Sequence, residues 1–489
     1  MVRQKIVRVD EKDVGIVDSN ERIPRFDENY IRRKRHQRER GEEEDRYFLL
    51  HERVITSVYT NKIMHDLIGQ LKQRTERALR WSEKYTKTDM VYLAKGGFWI
   101  NMSAVTIALF SLALYIAFAR FLPKEVYGTY QYLLSLSAII GTFTLSGMNT
   151  AVARAVARGH EGTYRASIRM QLKWALIPFT GALIGAAYYA FHGNIFLATG
   201  LLFIGVATPF ITTFNTYSAL LVGKKDFRRL FLYNFWLNIP YYGGLIFAAF
   251  YFRSALVLLA VNLCVNTIVL ALLYRQTLRT FKPNDEIDAG TLSYGKHLSV
   301  MGIFSAIVGQ IDNILVFHYL GAIDLAIYSL ATAIPDRAAA FFKFFPMTSM
   351  PKFVNKSEGE IRTSIGPKLL KLTFVALIGA VLYMFVAPLL FHTLFPQYAS
   401  SIPFSMFYAL GMVGTAGGVA LSALSAQQRT KDLYIFNIVT PTIQLALQLG
   451  GVLLYGLWGL VIGKTFSTLL TSLFSVILLL RNKSKPLVC

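Results

Sequence analysis

The chain alternates long apolar runs with short polar connections. Twelve runs stand out, at 98–119, 129–150, 174–191, 195–222, 230–251, 254–274, 297–319, 324–345, 371–393, 401–425, 433–455 and 456–480. Each approaches the length a helix needs to cross ~30 Å of hydrocarbon at ~1.5 Å rise per residue. The pattern predicts an all-α polytopic membrane protein of twelve transmembrane helices.

The connections differ in charge as regularly as the runs do in position. Those after runs 2, 4, 6, 8 and 10 carry Arg154, Arg158, Arg165, Arg169 and Lys173, then Lys224, Lys225, Arg228 and Arg229, then Arg275, Arg279, Lys282 and Lys296, and so on. The opposite connections hold only Arg120, Lys124 and Arg253. Cytoplasmic loops collect Lys and Arg, so both termini are expected in the cytoplasm. The outward connections are also very short, such as HGN at 192–194 and Tyr455–Gly456. They leave no room for a folded external domain that could display catalytic groups. The segment 151–173 alternates Arg with small apolar residues and is expected to lie along the anionic inner leaflet.

The two halves read as repeats. RFLPKEVYGTY (120–130) and HYLGAIDLAIY (318–328) align at an offset of 198, matching Phe121 with Tyr319, Leu122 with Leu320, and Tyr130 with Tyr328. Two six-helix lobes, 98–274 and 297–480, are expected. An even number of spans per lobe places their pseudo-axis along the membrane normal.

Composition agrees: 54% of 489 residues are hydrophobic and 16% charged. The net charge of +22 is orientation charge rather than a nucleic-acid surface, because it is concentrated in alternate loops. Residues 1–97 hold 22 Lys+Arg against 17 Asp+Glu. Within them, 1–45 is a charge-rich tail expected to be disordered, and 46–97 an amphipathic helical extension on the cytoplasmic side. A second short tail, 481–489, follows the last run. No apolar h-region precedes residue 98, so no cleavable signal peptide is expected. Cys264 and Cys489 are too few for a disulfide framework or a thiolate metal site. No nucleotide-binding glycine loop, zinc spacing or serine–histidine arrangement occurs, so neither an enzyme nor a resident cofactor is expected.

The sequence DNILVFHYLGAIDLAIYSLATAI in runs 7–8, with FARFLPKEVYGTYQYLLSLSAIIGTFTLSGMNTAVARAVA in runs 1–2, resembles the polysaccharide-biosynthesis flippases of the multidrug/oligosaccharidyl-lipid/polysaccharide flippase superfamily. The matching residues are Asp312, Leu320, Gly321 and Tyr328, the pair Tyr127–Gly128, and Gly147, Ala151, Arg154 and Ala157. LFPQYASSIPFSMFYALG (394–411) adds a further echo. The resemblance covers about 90–481 and not the N-terminal extension. It implies alternating access and, as cargo, a lipid-linked oligosaccharide on a polyprenyl pyrophosphate, moved from the cytoplasmic to the outer leaflet of the cell membrane. Membrane lipids would be its surroundings, and glycan polymerase or glycosyltransferase machinery could dock on the N-terminal extension.

Charges at membrane depth are the candidate site. Asp312 lies roughly 10 Å below the outer end of run 7 and Lys464 roughly 12 Å below that of run 12, counted at the helical rise. Two readings stay open: Asp312 lines a functional cavity and binds a coupling H+ or Na+, or it is locked structurally to Lys464. Gln310 and Asn313 flank it as candidate polar groups of the cavity. A pyrophosphate cargo calls for cations near the cytoplasmic mouth, and Arg154, Arg337 and Lys343 are the candidates. Pro335, just before Asp336 and Arg337, is the candidate hinge. Rival readings are an ion-coupled multidrug or metabolite antiporter of the same superfamily, and a membrane scaffold for glycan-assembly enzymes.

Overall fold

The computed structural model describes residues 90–342, 358–427 and 429–481. The expectations for the N-terminal extension before residue 90, for Lys343 and for the tail from residue 482 onward fall outside them. Among the described residues the chain is helical throughout, without strands. Its helices are α1 (Met90–Phe121), α2 (Lys124–Thr142), α3 (Met148–Ala157), α4 (Gly162–Trp174), α5 (Leu176–Phe191), α6 (Ile195–Phe214), α7 (Tyr217–Gly223), α8 (Phe227–Tyr251), α9 (Ala255–Phe281), α10 (Ala289–Tyr319) and α11 (Ala322–Phe342). Then follow α12 (Glu358–Leu394), α13 (Ile402–Ala409), α14 (Gly417–Ala426) and α15 (Thr430–Leu480), with 3₁₀ stretches flanking α13. Among the described residues, eight helical stretches are long and apolar enough to cross a membrane. The helices α2, α8 and α11 dilute their apolar residues with Tyr, Asn, Asp or Pro, and α15 counts once although it reverses at Gly456.

Side chains such as Phe191 (91% exposed) and Phe385 (79% exposed) point outward, whereas Ser135, Asn262 and Gln448 are buried. That inversion of the soluble pattern suits a bundle whose solvent is lipid. Local signals set the helix starts. Asn194, Asp226 and Asp288 each accept a backbone N–H from three residues on, at Leu197, Arg229 and Thr291. The Thr291 hydroxyl, and then its N–H, hold the Asp288 carboxyl below the usual carboxylate range.

Two ends of the bundle can be told apart. The hairpin end carries the tight turns at 122–123, 192–194, 252–254 and 320–321 and the reversal at Gly456. The basic end carries the loops 158–161, 224–226 and 282–288. The hairpin end is closed by a cluster drawn from both halves of the chain, including Phe118, Leu122, Tyr127, Leu330, Phe391, Phe395 and Tyr398. Tyr127 and Tyr398 meet edge to face at 6.3 Å. A Cβ on Gly128 would fall on the Ala322 carbonyl, so only glycine allows α2 and α11 to approach this closely.

Three expectations change in detail. Run 2 is not one helix: α2 stops at Thr142, the chain turns over 143–147 with Leu145 at φ 63°, and α3 resumes at Met148. Phe143 and Thr144 bond back to Ile140 and Gly141 in 3₁₀ fashion, and the Gly147 N–H donates to Ser299 Oγ at 3.1 Å. The segment 151–173 has its apolar face against protein rather than lipid, since Val152, Val156, Tyr164 and Ile168 are buried with Ala219 and Leu220. Third, α4 and α5 form an apolar stretch from Gly162 to Phe191, longer than run 3. The small residues of 411–426 allow close packing, with Gly414 and Gly417 against Thr468 and Ser472 of α15.

Candidate functional site

The turn Leu320–Gly321 joins α10 to α11, and Gly321 supplies its left-handed residue (φ 95°). Residues equally far from such a turn stand level on the two helices, which sets Asp312 beside Tyr328. The Tyr328 hydroxyl donates to Asp312 Oδ2 at 2.7 Å. From α15, Lys464 Nζ donates to the same carboxylate oxygen and, at 2.9 Å, to the Tyr328 hydroxyl. The second carboxylate oxygen accepts the Asn313 N–H at 2.9 Å. The Lys464 ammonium also lies 5.3 Å from the Tyr328 ring and 5.4 Å from the Tyr408 ring, within cation–π range. The Tyr408 hydroxyl continues the chain by donating to Asp336 at 2.8 Å.

The side chains of Asp312 and Lys464 are only 4% and 18% exposed. A buried pair offsets its desolvation only when geometry is good and the remaining donors and acceptors are met. Here both carboxylate oxygens and two tyrosine rings meet that condition.

The repeat holds at this site. Helix α1 ends at Phe121 and α2 starts at Lys124, while α10 ends at Tyr319 and α11 starts at Ala322, the same offset of 198. Tyr130, the counterpart of Tyr328, is equally buried and accepts a hydrogen bond from Asn262 at 2.7 Å. Asn262 donates to Tyr130 as Lys464 donates to Tyr328, and Asn266 bonds to the Asn262 backbone carbonyl at 2.9 Å. One half of the molecule therefore holds a neutral cluster where the other holds charges.

The structure brings Asp312 and Lys464 together and ties them to the first half of the chain, because Asn313 Nδ2 donates to Ser135 Oγ of α2 at 2.8 Å. Gln310 is half-buried two positions earlier on α10. Asp336 and Arg337 are both exposed. Asp336 bonds to Tyr408, while Arg337 lies within electrostatic reach of Tyr242 on α8, across the seam between the halves. Adjacent helix positions face apart, which explains the division. Arg154 is exposed and sits over the Tyr294 ring at 5.8 Å. Tyr294 is roughly 27 Å down α10 from Asp312 by helical rise, so Arg154 does not join the cluster. Pro335 is buried inside α11, which runs unbroken through it.

Sequence reasoning gave no role to Tyr328, Tyr408 or Asp336. Counting outward from the turn at 320–321 would have found Tyr328. Gln448, level with Lys464 across the reversal at Gly456, is buried, and its amide has no hydrogen-bond partner among the described residues.

The fold is similar to an inward-facing MATE family multidrug resistance transporter of the MOP superfamily, at 16% identity and a TM-score of 0.57, covering 76% of this chain and 92% of that one. It is also similar to the lipid II flippase MurJ in an inward closed conformation, at 13% identity and a TM-score of 0.55, covering 78% of this chain and 87% of that one. A MATE protein in complex with MaD5 gives 14% identity and a TM-score of 0.56, over 77% of this chain and 91% of that one. No curated protein matches the sequence. The family model described as "Polysaccharide biosynthesis protein" matches residues 93–350, more than half of the chain. The chain is thus a multi-pass membrane protein with a fold like those of MATE transporters and MurJ, and it belongs to the polysaccharide biosynthesis protein family.

Proposed function

We propose that the protein flips a polyprenyl-pyrophosphate-linked oligosaccharide from the cytoplasmic to the outer leaflet of the cell membrane by alternating access. In this reading the twelve apolar runs are twelve spans in two lobes, 98–274 and 297–480, around a central cavity. The basic end and both termini face the cytoplasm, and the hairpin end faces outward. The observation that carries the reading is the polysaccharide-biosynthesis match over 93–350 on a transporter fold. The geometry supports it: the hairpin end is closed by aromatic side chains of both halves, while Asp336 and Arg337 stay exposed farther along α11.

Arg337 would meet the pyrophosphate, with Arg154 and Lys343 as further cations drawing it in. Asp312, held by Lys464 and Tyr328, would exchange that lock for a coupling H+ or Na+, with Gln310 and Asn313 as polar neighbours. Pro335 would absorb the bend of α11 as the lobes rock. Residues 46–97 would offer a docking arm to glycan polymerase or glycosyltransferase machinery. Reconstitution tests the reading. Proteoliposomes should move a labelled polyprenyl-pyrophosphate oligosaccharide between leaflets, and protein-dependent movement that ignores the glycan would reject it. The likeness to MATE transporters favours one second reading, an ion-coupled antiporter for drugs or metabolites. In that case deletion would sensitise cells to toxic compounds and leave lipid-linked glycans unchanged.

A further inference from the structure

A cavity of about 470 Å³ opens at the hairpin end. It lies where α2, α6 and α9 begin, and Phe317 of α10 contributes a wall from the other half of the chain. Its lining mixes two charged residues, Glu125 and Arg253, with Asn194, Ser254, Phe196 and Phe317. This volume falls within the ~300–1,000 Å³ range of small-molecule sites, and so does the combination of apolar walls with a few polar groups.

Arg253 is the unusual member. Four positions at the hairpin end adopt left-handed backbone: Gly193, Gly321, Gly456 and Arg253, the last at φ 47°. Three are glycine, the residue that takes this conformation freely. The fourth turn would also be served best by glycine, and what Arg253 adds is its guanidinium. That side chain is also one of only three cations in the connections of an end otherwise poor in them. Neither Arg253 nor Glu125 forms an ion pair among the described residues. Asn194 spends its oxygen on the Leu197 N–H, which leaves its amide N–H groups for a ligand. Phe317 is held in place by stacking on Tyr132, with ring centroids 3.9 Å apart.

A guanidinium binds a carboxylate through two parallel hydrogen bonds. Glu125 accepts hydroxyl donors. Phenyl rings offer a flat wall to the C–H face of a sugar ring. We propose that this cavity binds an acidic sugar unit, its carboxylate on Arg253 and its hydroxyls on Glu125 and Asn194, as part of a glycan at the outer face. The choice of a sugar rests on the flippase reading; the cavity and its lining do not.

The test titrates the purified full chain with glucuronate, glucose and inorganic phosphate, read by saturation-transfer NMR. Glucuronate should bind at least tenfold more tightly than glucose, and phosphate should not displace it. R253G should abolish that preference while thermal stability stays equal or rises, because glycine suits this backbone better than arginine. The proposal is overturned if neither sugar binds, if the two bind alike, if phosphate displaces glucuronate, or if R253G keeps the preference. Should these fail while proteoliposomes still move the lipid-linked glycan, the cavity is rejected and the flippase reading stands. Glucuronate binding by a protein that moves no such lipid would reject the reading and keep the site.

Discussion

Lys464 and Asp312 are 152 positions apart in the sequence and share a buried ion pair in the structure. The carboxylate also accepts the Tyr328 hydroxyl, so three side chains from α10, α11 and α15 close one polar knot inside an apolar bundle.

Breaking that pair from one side strands a buried charge. Asp312→Asn should lower stability by about 3–5 kcal/mol and abolish export. Asp312→Leu combined with Lys464→Met should recover most of the stability, because an apolar pair of similar size avoids desolvation. Export should stay lost, since the carboxylate proposed to couple transport is gone. Thermal unfolding in detergent and glycan export separate the two effects. A double variant that exports normally would make the pair a structural lock.

The repeat offers an internal control. Tyr328→Phe and Tyr130→Phe each remove one buried hydroxyl from matching positions, and each should cost roughly 1–3 kcal/mol. Only Tyr328→Phe should impair export at equal protein level, because Tyr130 serves the neutral cluster of Asn262. Equal losses of export would show that both clusters matter only for folding.

Close packing at the hairpin end sets a third expectation. Gly128→Ala forces a methyl into the Ala322 carbonyl and should destabilise by about 1–3 kcal/mol, as overpacking does. Gly181→Ala, where a Cβ meets nothing within 4 Å, should not lower the melting temperature. If the two variants melt alike, α2 and α11 do not meet as described.

Charge reversal compares two arginines. Arg337→Glu should stop export, whereas Arg165→Glu, which loses only an exposed pair with Asp285, should reduce it less than twofold. Matching losses would assign Arg337 to orientation charge alone.

Much of this was legible because the bilayer restricts what a chain can do. Apolar run length and alternating loop charge located the helices, and helical rise alone set Asp312 and Lys464 at similar depth. The hydrogen-bonding roles of Tyr328, though matched in the repeat, and of Tyr408 stayed hidden for a physical reason: a tyrosine in an apolar run looks like any packed aromatic until its hydroxyl has a partner. The break at 143–147 left little mark, since its one helix-breaking residue, Gly147, is common inside membrane helices and the segment holds no proline. The alternation in 151–173 pointed to the inner leaflet, whereas its apolar face packs against Ala219 and Leu220, a partner that no pattern within the segment itself could reveal.

The central claim is that the cargo is a glycan on a polyprenyl carrier. The most direct measurement depletes the protein, extracts the lipids, and asks with a membrane-impermeant label which leaflet holds the glycan-loaded carrier. The account predicts that the loaded carrier accumulates and is shielded from label added outside. A lipid pool unchanged in amount and sidedness would contradict it.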